Sequence, residues 1–174
     1  MSRIAGILLC CLSFVLGCGP PFDRQNALDD LCSETGLQST DFDHYGRCTF
    51  AVVRKGTYKG YDFSWGFFGC TNEAIYVLAS TDQHTGTGKH YLKHKVAVED
   101  VKSVGLHRFL NARQLQFHMK QKNGLVLAVT IVGKHGVADK KTSANIFKAM
   151  TAQGVPEAKA PHAYAPPDPK IVIR

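Results

Sequence analysis

The feature that most constrains the fold is a pair of apolar-rich runs joined by Asn123-Gly124. Before the turn, residues 115–119 alternate apolar and polar side chains, as in a strand with one buried face. After it, residues 125–132 (LVLAVTIV) form a second strand-like run. Asn-Gly favours a type I′ turn because both of its central residues take a positive φ. The segment therefore predicts an antiparallel β-hairpin.

The rest of the chain carries further strand signals and then one helix. Strand signals predict strands at 48–54, 61–68, 73–80, 91–98 and 101–107. In the second, alternation places Tyr61, Phe63, Trp65 and Phe67 on one face. A helix is expected over 140–152, where Ile146, Phe147 and Met150 form an apolar stripe behind an Asp139 N-cap. Strands followed by a helix indicate an α+β fold, an antiparallel β-meander or partly closed barrel with a C-terminal helix.

Three segments flank or interrupt this domain. Residues 23–35 predict a short amphipathic helix that Asp23 caps and Gly36 ends. Residues 81–89 (TDQHTGTGK) are polar, so we expect a loop with no drive to pack. Residues 155–170 carry five prolines and predict a mostly unpacked tail, after which 171–173 are apolar enough to add to a sheet edge.

The first eighteen residues have the layout of a secretory signal peptide. Arg3 is followed by an apolar run over 4–16, which is too short to cross a bilayer of about 30 Å as a helix. Val15-Leu16-Gly17-Cys18 resembles the lipobox of bacterial lipoproteins, in which cleavage precedes a cysteine that carries diacylglycerol. The resemblance implies that Cys18 is the acylated mature N-terminus. An ordinary signal peptide cut near Gly17 is the alternative.

These features predict location and organisation. We expect 1–17 to be the signal peptide, 18–44 a lipidated spacer with the short helix, 45–154 the β-rich domain and 155–174 the tail. In Gram-negative lipoproteins an Asp after the cysteine tends to mark inner-membrane retention, so Gly19 favours an outer-membrane anchor facing the periplasm. Loss of Arg3 lowers the net charge from +7 to +6. This charge suits anionic lipid or glycan surfaces, and the compartment argues against nucleic acid.

Three cysteines remain after Cys18, and an oxidising compartment predicts one disulfide among them. We favour Cys32–Cys48, which would close a loop of about 15 residues and add about 3 kcal/mol. Cys48–Cys70 is the competing pair, because the two residues could face each other across a hairpin.

Residues 96–104 (VAVEDVKSV), a strand, a short acidic turn and another strand, resemble bacterial pleckstrin-homology-like domains. The Asn-Gly hairpin and the C-terminal helix extend the resemblance over about 45–153. It implies a domain that binds lipids, peptides or proteins, and lipid-binding members use a basic β1–β2 loop. The matching residues here are Arg54, Lys55 and Lys59, with Lys89 and Lys93 as further candidates. A small lipocalin-like barrel is the alternative fold.

Catalytic and metal patterns are weak. His90 and His94, near His84, have a spacing that can share a metal, but no HExxH motif or completing ligand accompanies them. Cys70 could act as a nucleophile only as a thiolate. It follows an apolar run, and apolar surroundings raise the pKa of a thiol, which argues against this role. Ser64 and Ser80 lack a GxSxG context, and 85–89 (TGTGK) lacks the order of a phosphate loop.

We therefore expect no catalytic residue, no metal, no cofactor and no enzyme activity. The sequence predicts a membrane-anchored envelope lipoprotein that acts as a protein-interaction or accessory module, with an envelope protein as its partner. Binding of lipid or another anionic ligand through the basic loop is the alternative function.

Overall fold

The computed structural model describes residues 22–59, 62–110, 112–121, 124–133 and 136–165, and contains two α-helices and eight strands. Helix α1 is Arg24–Thr35 and helix α2 is Lys140–Ala152. The strands are β1 His44–Arg54, β2 Ser64–Cys70, β3 Ala74–Ser80, β4 His90–Ala97, β5 Val101–Phe109, β6 Ala112–Met119, β7 Leu125–Ile131 and β8 Glu157–Ala158.

All eight strands belong to one sheet, in the order β4-β3-β2-β1-β7-β6-β5-β8. Every pairing is antiparallel except the short parallel contact of β8 with β5. The α+β class is confirmed. Strands β1–β4 and β5–β7 each form an antiparallel meander, but β4 and β5 are not neighbours, so the strands do not form one continuous meander. Because β4 and β8 end the sheet, the described strands do not form a closed barrel, so the lipocalin-like barrel is wrong.

The main core lies on the inner face of this curved sheet. Phe68 of β2 and Phe117 of β6 are fully buried there and stack with their ring centroids 6.3 Å apart. Helix α2 covers one side of this core with Ile146 and Met150, and Phe147 packs at its margin, as the stripe predicted. Asp139 caps α2 by accepting a hydrogen bond from the Thr142 N–H at 3.0 Å.

Helix α1 covers the outer face of β2, β3 and β4. Leu28 and Leu31 pack there against Phe67 and Leu78. The predicted bounds hold because Asp23 accepts hydrogen bonds from the first turn and Gly36 ends the helix at φ 72°. Strand β2 is thus covered on both faces, and every residue of it after Ser64 is buried.

The tail was predicted to be mostly unpacked, and this is wrong for residues 155–165. Strand β8 pairs with β5, and the following segment crosses the outer face of β6. There Gln114 Nε2 donates to Ala165 O at 3.1 Å, while Gln114 Oε1 accepts from the Tyr164 N–H at 2.9 Å. Tyr164 then packs on the apolar outer face of β1 and β7. Buried amides on β6 supply the attachment.

The loop over 81–89 was expected to have no drive to pack, which is also wrong. Gly86, at φ 67°, lies directly on Trp65, where a Cβ would come within 2.9 Å of the Trp65 Cβ. Asp82 holds the loop together, and hydrogen bonds, first from the Thr85 hydroxyl and then from backbone N–H groups, lower its pKa to about 2.

The β6–β7 hairpin is confirmed, with Gly124 at φ 80°. Asn123, Tyr61, the lipobox with Cys18, and residues 171–173 lie outside the described residues. Neither α-helix in the described ranges is long and apolar enough to cross a bilayer.

Candidate functional site

A cavity of about 230 Å³ lies on the inner face of the sheet, where β4 approaches β1, β6 and β7. Strand ends build it, because β1, β6 and β7 each begin or end within a few residues of its wall. Val52, which is 37% exposed, stands at its edge. Apolar residues form most of the lining and polar ones complete it: Val52, Val96, Met119, Leu125, Leu127, His94, Lys95, Asp100 and Gln121.

A β-bulge decides which side chains of β4 reach this cavity. The register between β3 and β4 shifts between Val77 and Leu78. The side chains of β4 after the bulge therefore lie on the face opposite to the one that plain alternation from the start of the strand would give them. His94 turns inward, edge-on to the Phe50 ring at 5.7 Å, whereas His90 is buried on the outer face against Phe67 at 6.1 Å.

The bulge also separates the histidines whose spacing suggested a shared metal, because His90 and His94 now lie on opposite faces. In the ranges that the structure describes, no group of three or more His, Cys, Asp or Glu side chains could hold a metal ion.

The predicted basic residues of the β1–β2 loop make separate contacts in the structure. Arg54 ends β1 and is exposed, and the Lys55 N–H donates to Gly124 O in the β6–β7 turn. Lys59 forms an ion pair with Asp62, with Nζ and Oδ2 3.1 Å apart, and its N–H donates to Tyr164 O. Lys89 and Lys93 are exposed near the start of β4.

The charge of Lys55 acts together with that of Lys102 on His118, a grouping on the outer face that sequence reasoning missed. Burial lowers the pKa of His118 on β6, and the nearby charges of Lys55 and Lys102 lower it further. His118 Nε2 is buried and has no hydrogen-bond partner within the described part of the chain. The sequence signal for the position of His118 was the alternation of β6, which places His118 on the face opposite Met119. Lys102 comes from a neighbouring strand, so spacing could not reveal it.

A second missed cluster centres on Arg47. Its guanidinium lies between two aromatic rings, 4.3 Å from the Trp65 centroid and 4.8 Å from that of Phe22. Arg47 also donates to Thr85 O in the packed loop. Nearby, His90 Nδ1 is 3.4 Å from Asp30 Oδ2, and burial lowers the pKa of His90 more than Asp30 raises it. These contacts join α1, β1, β2 and the loop, so we assign them to stability.

The predicted disulfides do not form, and Cys32, Cys48 and Cys70 are free cysteines. Cys32 belongs to α1 and packs against the outer side of the sheet, whereas Cys48 lies in the inner core. Cys48 is opposite Gly66 and Cys70 is opposite His44, so the competing pair is offset by four residues, about 13 Å. A disulfide needs Cα atoms within about 7 Å. Burial raises the pKa of Cys48 and raises that of Cys70 to about 12, so neither buried thiol is activated.

No protein-family model and no curated protein matches the sequence. Among solved structures, the chain is similar to the hSac2 domain from human phosphoinositide phosphatase Sac2, with 11% identity and a TM-score of 0.48. The match covers 84% of this chain and 96% of that chain. The expectation that the chain is not an enzyme is withdrawn. At such similarity the neighbour assigns neither a ligand nor a reaction to the chain.

Proposed function

We propose that the chain is an envelope lipoprotein, anchored by acyl chains on Cys18, whose domain binds another envelope protein as an interaction or accessory module. The signal peptide and the lipobox-like sequence support the anchor and its outer-membrane, periplasm-facing location. The strand meander followed by α2 over the inner core supports a pleckstrin-homology-like domain. The observation that carries the binding function is a free sheet edge beside the cavity.

Helix α1 covers only the first half of that edge. Asp30 Oδ2 accepts from the His90 N–H and Glu34 Oε2 accepts from the Leu92 N–H, both at 2.8 Å. Carboxylates of the helix thus occupy the donors that an added strand would need there. Blocking an edge in this way prevents unspecific strand pairing.

The second half of β4 offers its backbone. The Val98 N–H donates to Glu73 O, which fixes the direction of the alternating groups just before it. By that alternation, the N–H and C=O groups of Lys95 and Ala97 point away from β3. No strand pairs with this side of β4 among the described residues. The cavity opens beside the same residues.

An extended segment of a partner protein fits this arrangement as an added strand. One of its side chains would enter the cavity, whose volume of about 230 Å³ suits one large apolar group, since an apolar cavity of about 150 Å³ holds benzene. The exposed Lys93 and Lys95 favour acidic residues beside that group. Lys95 Nζ is held 5.6 Å from the Tyr76 ring centroid, next to the edge.

Site-resolved cross-linking tests this function. A photoreactive benzoylphenylalanine in place of Gln121, at the cavity, should give one adduct of defined mass in cells that express the full chain. The same group in place of exposed Lys148 on α2 is the positional control and should give none.

Edge variants test the binding mode. Lys95→Pro removes an outward N–H while leaving the pairing with β3 intact, so it should reduce the adduct at least tenfold. Lys95→Ala removes only the charge and should reduce it less than threefold. Equal adducts from both positions, or an adduct that Lys95→Pro leaves unchanged, would contradict the proposal. A cross-link of two copies would assign the edge to self-association.

The cluster of Lys55, Lys102 and His118 favours a second candidate, binding of an anionic headgroup. Sedimentation with phosphatidylglycerol vesicles should fall at least tenfold between 50 mM and 500 mM salt, because salt screens exposed charges. The double variant Lys55→Gln, Lys102→Gln should bind at 50 mM salt as weakly as the unsubstituted chain binds at 500 mM salt. Salt-insensitive binding would exclude this candidate.

A further inference from the structure

The turn between β5 and β6 is an exposed apolar tip. Leu110 is 81% exposed and Phe109 is 41% exposed, although both are large apolar side chains. Leu110 also has a φ of 43°, in the left-handed region that a residue with a side chain seldom adopts. The backbone therefore bears strain to present this side chain to the surroundings. Such strain is a reason to look for a function.

Two arginines flank the tip. Arg108 on β5 and Arg113 on β6 are directly opposite each other in the register. Arg113 Nη1 donates to Ala112 O at 2.7 Å and to Leu110 O at 3.4 Å, which holds its guanidinium at the turn. In the described ranges, no ion pair joins either arginine to an acidic side chain. Like charges in directly opposite positions destabilise a sheet, so an anion between them would relieve the repulsion.

The register places this tip on the same row of the sheet as Arg47, which contacts Phe22. The Val132 N–H donates to Arg47 O, and the β6–β7 and β5–β6 registers continue that row to Ala112 and Phe109. Arg47 holds the Phe22 ring at 4.8 Å. The tip is thus three strand spacings from Arg47, about 14 Å.

The proposed anchor at Cys18 is also close to Phe22 along the chain. Phe22 is four positions after Cys18, and four residues span at most about 14 Å when fully extended. An acylated Cys18 therefore keeps the Phe22 side of the domain close to the bilayer. The row of the sheet that contains Arg47 and the tip lies on this side.

We propose that the Phe109–Leu110 tip is a second membrane contact. Both side chains enter the interfacial region of the bilayer, and Arg108 and Arg113 bind the anionic phosphates of the lipid headgroups. The contact rests on the proposed acylation of Cys18 for its proximity to the membrane. Together with the anchor, the contact fixes the orientation of the domain on the membrane. The β4 edge then meets its partner in a single orientation.

Depth-dependent quenching tests the contact in the acylated full chain. Leu110→Trp protein would be reconstituted in phosphatidylethanolamine–phosphatidylglycerol vesicles whose acyl chains are brominated. Tryptophan at this position should be quenched at least threefold more than in Tyr58→Trp, a matched control whose exposed site follows the far end of β1. The unsubstituted chain gives the background from Trp65. Phe109→Trp serves as a second probe if Leu110→Trp misfolds.

The arginines are tested in the same chain. Adding Arg108→Gln and Arg113→Gln to Leu110→Trp should lower the quenching at least twofold. Quenching at position 110 no greater than at position 58 would overturn the proposal, and unchanged quenching without the arginines would overturn the headgroup contact. An intact mass of the same sample separates the two failures: an acylated but unquenched chain refutes only the tip, whereas an unacylated chain refutes the anchor.

Discussion

At the residue scale, Arg47 of β1 contacts three separate segments. Its side chain lies between the rings of Phe22 and Trp65 and reaches a carbonyl of the packed loop. A planar guanidinium can stack on two faces and donate at its edge at the same time, whereas an ammonium cannot.

We therefore predict that Arg47→Lys lowers the free energy of unfolding by about 1–2 kcal/mol, because cation–π contacts in a partly desolvated site contribute about that much. Urea titration followed by circular dichroism measures the change. Arg54→Lys, at an exposed position, is the control and should stay within about 0.5 kcal/mol. A similarly small effect of Arg47→Lys would show that the stacking contributes little.

His90 makes stability depend on pH. Burial lowers its pKa in the folded state below the ordinary histidine value of about 6.5. The unfolded chain therefore binds more protons as the pH falls through that value, and the free energy of unfolding should decrease from pH 7.5 to pH 5.5. His118, whose pKa is also lowered, acts in the same direction.

We expect His90→Asn to flatten this profile, measured by urea unfolding at a series of pH values. His84→Asn, which changes an exposed histidine in the packed loop, should retain the wild-type slope. If stability rose on acidification, the account of His90 as a buried neutral imidazole would fail.

Single residues were the hardest features to predict. The spacing of His90 and His94 suggested one face, and only the bulge in β4 separates them. A bulge depends on pairing with β3, which is a tertiary property without a local signal. The cysteine pairing failed for the same reason, since the register of β1 with β2 and the side of the sheet decide which thiols meet.

At the scale of elements, the tail behaves as part of the domain. Gln114 and Gln116 are each only 1% exposed, and their amides bind backbone groups of the tail. Polar groups at such depth are stable only when they are hydrogen-bonded.

Gln114→Leu should destabilise the protein by about 3 kcal/mol, because it leaves the Tyr164 N–H, the Ala165 carbonyl and the Gln116 amide short of a partner. Urea unfolding gives the energy, and faster amide hydrogen exchange at Tyr164 would show local release of the tail. Gln153→Leu, at an exposed position after α2, is the matched control. Unchanged exchange at Tyr164 would mean that apolar contacts alone hold the tail.

Elements with local signals were predicted well. Both helices have their caps in the sequence, Asp23 and Asp139, and the hairpin has its turn residues. The tail and the loop over 81–89 were missed because their packing rests on Gln114 in β6 and Trp65 in β2, residues distant in sequence. Composition indicated that both segments are polar, but it could not show that buried residues elsewhere in the chain hold their polar groups in place.

At the scale of the whole molecule, the domain has three separate surfaces. The open half of the β4 edge lies beside the inner cavity. The group of Lys55, Lys102 and His118 lies on the outer face, and the apolar tip lies on the row of Arg47, which contacts Phe22. None was apparent as a sequence motif, since each combines residues from neighbouring or distant strands. A lipid anchor near Phe22 would leave the β4 edge free for a partner.

Native mass spectrometry of the full protein, extracted from membranes in detergent, tests the central claim most directly. The account predicts a chain that begins at Cys18, carries acyl groups there, and holds one envelope protein in a fixed stoichiometry. A chain without acyl groups that leaves the membrane in aqueous buffer and carries no partner would contradict it.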